Sequence, residues 1–268
     1  MSGFYAVRAF LDFLHNRTGF TNGSDAIVST KTVNPEEVRS LRISWGSGSV
    51  CVSKADESET EDGIVVRETY PDTGEDDHPL RLEVKQGELI IGLGTKDAHR
   101  YPETSRYLEV LLPSGMEELD AIRTTMSAGH CEVTQVGCAQ LHVEASSGRI
   151  SVDDVTADKL RLAISSGNAD VEGTFSQDMN LEVSSGSIRV TDMAAPRRCM
   201  IKVGAGKATL ALPRNASFAA RARVGAGAFD LGFAYRDEGD TFLVGKGDAR
   251  INTLEADIGS GSLHVEPL

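Results

Sequence analysis

Residue types that could perform acid–base, nucleophilic or metal chemistry occur in this chain, but their spacing matches no catalytic motif. No two of its six histidines lie four residues apart, as a zinc-binding helix requires. The fragment GAGKAT at 204–209 shares a Gly-Lys pair with phosphate-binding loops. However, Ile201 stands where the first glycine belongs, and Ala208 stands where Ser or Thr belongs. We therefore predict no catalytic residues, no enzymatic activity, no metal site and no cofactor.

The cysteines do not indicate a disulfide framework or a zinc site either. The chain has four, Cys51, Cys131, Cys138 and Cys199, and none forms a Cys-x-x-Cys pair. None stands in an obviously activating basic context. We expect small core or surface residues at these positions.

Composition narrows the class of partner and location. The 268 residues carry 27 Lys and Arg against 40 Asp and Glu, a formal charge of −13, which argues against a nucleic-acid-binding protein. A hydrophobic content of 40% is typical of a folded protein. Neither a membrane-spanning apolar run nor a signal peptide is seen, so the sequence itself favours a cytoplasmic or membrane-peripheral location.

An internal repeat organises most of the chain. Three copies read LHVEASSGRISV, LRLAISSGNADV and MNLEVSSGSIRV, with apolar residues alternating on both sides of one glycine. The unit recurs around ten glycines: Gly48, Gly87, Gly129, Gly148, Gly167, Gly186, Gly206, Gly227, Gly247 and Gly261. The period of two within each unit indicates short strands on either side of a bend.

The repeat predicts an all-β fold. One unit cannot bury its apolar face alone, whereas stacked units bury it continuously. We therefore expect a parallel β-solenoid, similar to a single-stranded β-helix, of about ten coils and with right-handed winding. An antiparallel sandwich of the same strands is the alternative, because short strands with regular turns also suit sandwiches.

Three segments stand apart from the regular repeat. Residues 1–35 are interpreted as an N-terminal helix and linker, and residues 36–268 as the solenoid. Residues 3–15 have one apolar helical face, which suits a cap on the first coil, a membrane-surface helix or a partner helix. The insertion at 55–77 has ten acids and one arginine and is expected to be a solvated loop; its stretch GIVVRETY could add a strand. LEVLLP at 108–113 also looks like a strand.

The C-terminal coil, IGSGSLHVEPL, has no capping segment after it. An exposed strand edge there would invite pairing with another chain. We therefore predict self-association through this coil.

One outward position of the repeat carries basic residues in its first five copies. Stacking would place them in a single column: Arg42, Arg81, Arg123, His142 and Arg161. Glutamates such as Glu83 and Glu144 occupy a neighbouring position on the same face. Cross-strand ion pairs that keep the face soluble are one interpretation. A binding stripe for acidic glycans or lipid headgroups is the other.

These repeats resemble a family of bacterial "putative adhesin" proteins, catalogued as a domain of unknown function. The matching segments are SLRISWGSGSV at 40–50, LEVLLP at 108–113, LDAIRTTMSAG at 119–129 and the successive SSG bends. The resemblance covers residues 36–268. It implies a non-catalytic β-repeat module of the cell envelope or cell surface, and it brings no catalytic residues with it.

Together these observations predict a non-enzymatic adhesin or binding scaffold that presents a β-solenoid surface to a protein or glycan. The alternative is an intracellular or membrane-peripheral regulatory protein of the envelope-stress type, with residues 3–15 contacting a membrane or a partner. A carbohydrate-active enzyme is the third hypothesis, since β-helices also carry such activities.

Overall fold

The protein is all-β, as predicted. A computed structural model describes residues 26–55, 58–60, 63–71, 80–93, 106–116, 118–245 and 251–268. These residues form one sheet system of nineteen strands, with a single 3-10 turn at Pro35–Glu37. The helix predicted at 3–15 lies outside the described residues.

The nineteen strands lie between Ala26 and Pro267. In chain order they are β1 (Ala26–Val33), β2 (Ser40–Trp45), β3 (Gly48–Ala55), β4 (Ile64–Pro71), β5 (Leu80–Lys85), β6 (Glu88–Leu93), β7 (Arg106–Pro113), β8 (Leu119–Met126), β9 (His130–Thr134), β10 (Gly137–Val183), β11 (Ser187–Asp192), β12 (Arg198–Val203), β13 (Lys207–Leu212), β14 (Phe218–Val224), β15 (Ala228–Leu231), β16 (Tyr235–Asp237), β17 (Phe242–Val244), β18 (Thr253–Ile258) and β19 (Ser262–Pro267).

Parallel pairing stacks these strands into two ladders joined at the bends. The first ladder contains β6, β2, β8, parts of β10, β12, β18 and β14. The second contains β7, β3, β9, other parts of β10, β11, β13, β19 and β15. We call the outer surface of the first ladder face A and that of the second ladder face B. Parallel neighbours favour the stacked arrangement over a sandwich.

The core lies between the two ladders and is almost entirely aliphatic. In β12, for example, Cys199, Ile201 and Val203 are buried, while the residues between them are exposed. The same alternation recurs in β11, β18 and β19. Each large aliphatic side chain withdrawn from water contributes roughly 1.5–3 kcal/mol to folding. Burial of the inward rows is thus the main stabilising contribution.

Successive bends approach each other so closely that only glycine fits. A Cβ atom on Gly129 would overlap the carbonyl oxygen of Gly48, and one on Gly148 would overlap that of Gly129. The same carbonyl is needed as a hydrogen-bond acceptor: the Arg149 N–H donates to Gly129 O at 2.8 Å. In the part of the chain that the structure describes, eight glycines form this column, in spatial order Gly48, Gly129, Gly148, Gly167, Gly186, Gly206, Gly261 and Gly227.

Among the described residues, one of the ten predicted repeat units does not add a glycine to this column. Gly87 lies in a tight turn between antiparallel β5 and β6, where both Gln86 and Gly87 have positive φ. Such a turn joins the strands of a hairpin, so this unit folds back on itself. Gly247 lies outside the described residues, and β17 before it pairs antiparallel with β14 and β16. About ten coils and right-handed winding stay predictions.

The order of the turns in space differs from their order in the chain. The β18–β19 turn pairs with β12 and β13 on one side and with β14 and β15 on the other. The expectation of an exposed edge on the C-terminal coil is therefore wrong, because both of its edges are paired within the molecule. Likewise, β2 and β3 lie between β6–β7 and β8–β9.

Part of the acidic insertion belongs to the sheet. The GIVVRETY stretch forms β4, which pairs antiparallel with β7 and with β1; β1 itself lies in the stretch interpreted as a linker. Glu68 on β4 is buried and receives a 2.7 Å ion pair from Arg106. Val65 packs with Ala55 and Leu111 in a small second cluster. The described part of this insertion is thus packed rather than a wholly solvated loop.

The bend at 46–48 provides a matched test of the glycine column. Gly48→Ala places a Cβ against the Arg106 backbone at φ +107°, whereas Gly46→Ala meets nothing within 4 Å. Backbone strain alone should cost Gly48→Ala about 1–3 kcal/mol. We expect the urea midpoint of Gly48→Ala to fall clearly and that of Gly46→Ala to stay near wild type. Equal midpoints for the two variants would contradict the close-packed column.

Candidate functional site

The outward basic residues on β2, β8 and β10 lie in one column on face A. Arg42 is the register partner of Arg123, and Arg123 is the partner of His142. Arg161 follows on the next turn of β10, close enough for its charge to act on His142. Neighbouring rungs of a sheet are about 4.8 Å apart. We call Arg42, Arg123, His142 and Arg161 the basic stripe.

Arg81 does not join the stripe, which corrects the predicted column of five. Because β5 runs antiparallel to β6, Glu83 rather than Arg81 lies across from Ile90, the neighbour of Arg42. Arg81 instead forms a 3.1 Å ion pair with Glu83. Hydrogen bonds from Lys85 and then Arg81 lower the pKa of the Glu83 carboxyl group.

Glu88 is a member of this site that the sequence analysis missed. It lies on β6 and forms ion pairs with Arg42 at 2.9 Å and with Arg123 at 3.5 Å. The Arg42 and Arg123 side chains keep 52% and 41% of their surface exposed, against 19% for Glu88. One carboxylate thus bridges two guanidinium groups that remain open to solvent. In the sequence, the position of Glu88 directly after Gly87 was the signal that could have suggested it. Its approach to the stripe, however, depends on the β5–β6 hairpin.

His142 separates two of the arginines and is biased towards its neutral form. Burial lowers the pKa of the His142 imidazole, the Arg161 charge lowers it further, and the nearby Glu144 acts in the opposite direction. Its Nε2 lies 3.7 Å from Glu144, which is too far for a hydrogen bond. Within the described part of the chain this buried Nε2 has no hydrogen-bond partner.

The stripe ends abruptly along the stack. The next three rungs carry Asn180, Met200 and Glu255 at the same outward position. Columns on either side are mixed in charge: Lys159 and Arg198 both approach Asp178, at 3.9 and 3.7 Å. The basic stripe is therefore a local feature four rungs long.

Face B has a second polar cluster, at the N-terminal end of the stack. Cys51 lies between Glu109 and Glu132 on adjacent rungs. Arg67 forms an ion pair with Glu109, and the Tyr107 hydroxyl lies 3.4 Å from the same carboxylate. Burial, followed by the two glutamates, raises the pKa of the Cys51 thiol to about 12. The protonated thiol is a poor nucleophile, so this cluster has the character of a structural network.

The other three cysteines are buried and free, as expected of core residues. Burial raises the pKa of the thiols of Cys131 and Cys138 to about 12, and it raises the pKa of Cys199 further. Neutral thiols of this kind pack as small apolar groups.

A polar groove of about 400 Å³ lies on face A near the last turns. The Arg221 Nε donates a hydrogen bond to Thr241 Oγ1 at 2.8 Å and lies 3.9 Å from Asp240, and Glu238 and Glu255 line the same groove. No group of three or more His, Cys, Asp or Glu residues in the described ranges is arranged to hold a metal ion. No helix among them is long and apolar enough to cross a membrane.

A family model described as Toastrack DUF4097 matches residues 32–266, so this chain belongs to that family. This confirms the resemblance drawn from the repeats to adhesin-like proteins of unknown function. No curated protein matches the sequence significantly.

Three solved structures align with most of this chain, each with a TM-score below 0.5. A "putative cell adhesion protein" from Clostridium sporogenes is 16% identical, with a TM-score of 0.44 over 91% of this chain and 100% of its own. A "putative adhesin" from Parabacteroides distasonis is 15% identical, with a TM-score of 0.44 over 91% and 98%. A "putative lipid binding protein" from the same species is 15% identical, with a TM-score of 0.48 over 91% and 97%.

The electrostatics of the stripe predict an acid-sensitive histidine. Because the His142 pKa is lowered in the folded protein, the unfolded chain takes up this proton first. Neutral His142 therefore contributes its full share to the free energy of unfolding above pH 6.5, the ordinary pKa of the group. That contribution is lost as the pH falls from 6.5 through the lowered pKa of the folded protein. We expect NMR titration to give His142 a pKa below 6.5, and Arg161→Gln to raise it. Arg149→Gln, on face B, serves as control. An unshifted His142 pKa in the wild type would contradict this.

Proposed function

We propose that this chain is a non-catalytic, adhesin-like binding module that presents the outer faces of a β-solenoid to a macromolecular partner. The observation that carries the proposal is the register of the two ladders. Parallel pairing fixes outward side chains in straight columns at a constant rung spacing, as on other repeat proteins that bind extended partners. We also propose that the solenoid winds right-handed and has about ten coils.

The partner must be met on the outside of the stack. Aliphatic side chains fill the interior along its length. Leu41, Val143 and Leu210, for example, are fully buried. The interior therefore offers no channel for a polymer. Family membership supports an adhesin-like role in general terms. We propose the cell envelope as the place of action.

Membrane contact through residues 3–15 remains the second proposal for location. That segment lies outside the described residues, so only its apolar helical pattern supports the idea. A membrane anchor in this segment would precede β1 in the chain. Faces A and B would then stay available to bind a partner.

A retention assay with a chemical readout tests the proposed function. The full chain would be incubated with immobilised envelope polysaccharides and intact cell-envelope preparations, and each bound polymer would then be recovered and sized. We expect saturable retention on at least one material, with the polymer recovered at its original length. Progressive shortening of a bound polymer would instead support a carbohydrate-active enzyme. Absence of retention on every material would contradict the binding proposal.

A further inference from the structure

The basic stripe has an excess of positive charge that folding alone does not explain. The chain as a whole has a net charge of −13, yet Arg42 and Arg123 lie on adjacent rungs. Like charges placed directly side by side on a sheet are destabilising. In the described part of the chain the ion pairs of the stripe arginines involve one carboxylate, that of Glu88. Arg161, further along the stripe, is exposed.

The stripe is straight and, over its first three rungs, one side chain wide. Its four rungs span three intervals, or about 14 Å along the stack. The column on one side contains Ser44, Thr125 and Glu144 at the corresponding rungs. The column on the other side contains Ser40, Ala121 and Gln140, and then Lys159 beside Arg161. A positive line is therefore presented to solvent, with hydroxyl and amide groups and Glu144 beside its first three rungs and Lys159 beside Arg161.

We propose that the basic stripe binds a linear acidic polysaccharide, laid in single file along the stack axis. This inference rests on the proposed binding function and assigns its ligand class and its site. Guanidinium groups recognise carboxylate and sulfate groups through paired hydrogen bonds. One sugar ring is comparable in length to one rung interval, so acidic groups on successive or alternate sugars can meet successive arginines.

The groups beside the arginines suit sugar hydroxyls. Ser44 and Thr125 are register partners on one side of the stripe, and Gln140 lies on its other side. Each offers both a hydrogen-bond donor and an acceptor. Ionic contacts would thus fix the chain along the stripe, and neutral contacts would fix the sugar rings.

Two other anionic partners fit the stripe less well. A membrane surface attracts broad clusters of basic residues, whereas Glu144 lies directly beside this stripe. Single-stranded nucleic acids bind through aromatic side chains on which the bases stack. The outward positions of β2 are Ser40, Arg42 and Ser44, with Trp45 turned into the core.

Polygalacturonate is a suitable probe, because it carries one carboxylate on every sugar. Its binding to the full chain would be measured calorimetrically at low salt, with neutral dextran as the uncharged control. The test variant is Arg42→Gln/Arg123→Gln/Arg161→Gln. The matched variant, Arg149→Gln/Arg197→Gln/Arg214→Gln, makes the same change in charge at three exposed arginines outside the stripe.

We expect wild type to bind polygalacturonate but not dextran, with affinity falling as salt rises. The stripe variant should bind about tenfold more weakly, the combined effect of three exposed ionic contacts. The matched variant should stay within about twofold of wild type by the same reasoning. Both variants should keep the wild-type urea midpoint, which separates lost contacts from lost folding.

Several results would overturn the inference. Equal weakening in the two variants would show general charge attraction rather than a stripe. Binding to phosphatidylglycerol vesicles or to single-stranded DNA, but not to polygalacturonate, would assign a different partner. Retention on an envelope material without polygalacturonate binding would remove this inference and leave the proposed function intact. Failure of every retention assay would overturn both this inference and the proposed binding function.

Discussion

The close approach of successive turns at their bends is the constraint on which the remaining structure depends. Turns at the spacing of a parallel ladder leave no room for a side chain where the chain changes direction, so a glycine lies at each stacked bend from Gly48 to Gly227. With the bends aligned, the strands on both sides fall into register. That register buries one alternate set of side chains and exposes the other. Stability and surface pattern therefore have the same origin.

Register also brings side chains together that are far apart in the chain. Arg42 and Arg123 are separated by a hairpin and three further strands, yet they occupy adjacent rungs. A stack of this kind amplifies any bias at one outward position into a column of like residues. The bias is energetically unfavourable when the residues are charged, and the protein offsets it with a bridging Glu88 and an imidazole whose pKa is lowered. The same features leave guanidinium groups open to an anionic ligand.

Much of the fold could be predicted from the sequence because the dominant forces are local and repeated. The period of two identified the strands, the glycine spacing identified the bends, and Arg42, Arg123, His142 and Arg161 were placed in one column. The hairpin at Gly87 escaped prediction because a β-hairpin and a stacked bend share the same alternating pattern around a glycine. In the structure, the positive φ at both Gln86 and Gly87 and the antiparallel pairing of β5 with β6 distinguish this hairpin from a stacked bend. As a result, Arg81 was wrongly placed in the column, and Glu88 was not predicted as part of the site. The insertion of the β18–β19 turn between earlier turns depends on long-range pairing, which a local pattern does not encode.

Disulfide trapping across face A would test most directly whether the turns stack in this register and order. Met200 and Glu255 are register partners, whereas Arg221 is the partner of Glu255 and lies one rung further away. In a Cys51→Ser background, the account predicts that cysteines at 200 and 255 cross-link on mild oxidation. Cysteines at 200 and 221 are about 9.6 Å apart and should not, because a disulfide needs Cα atoms within about 7 Å. Cross-linking of 200 with 221, and not with 255, would mean that the turns stack in chain order and would contradict the account.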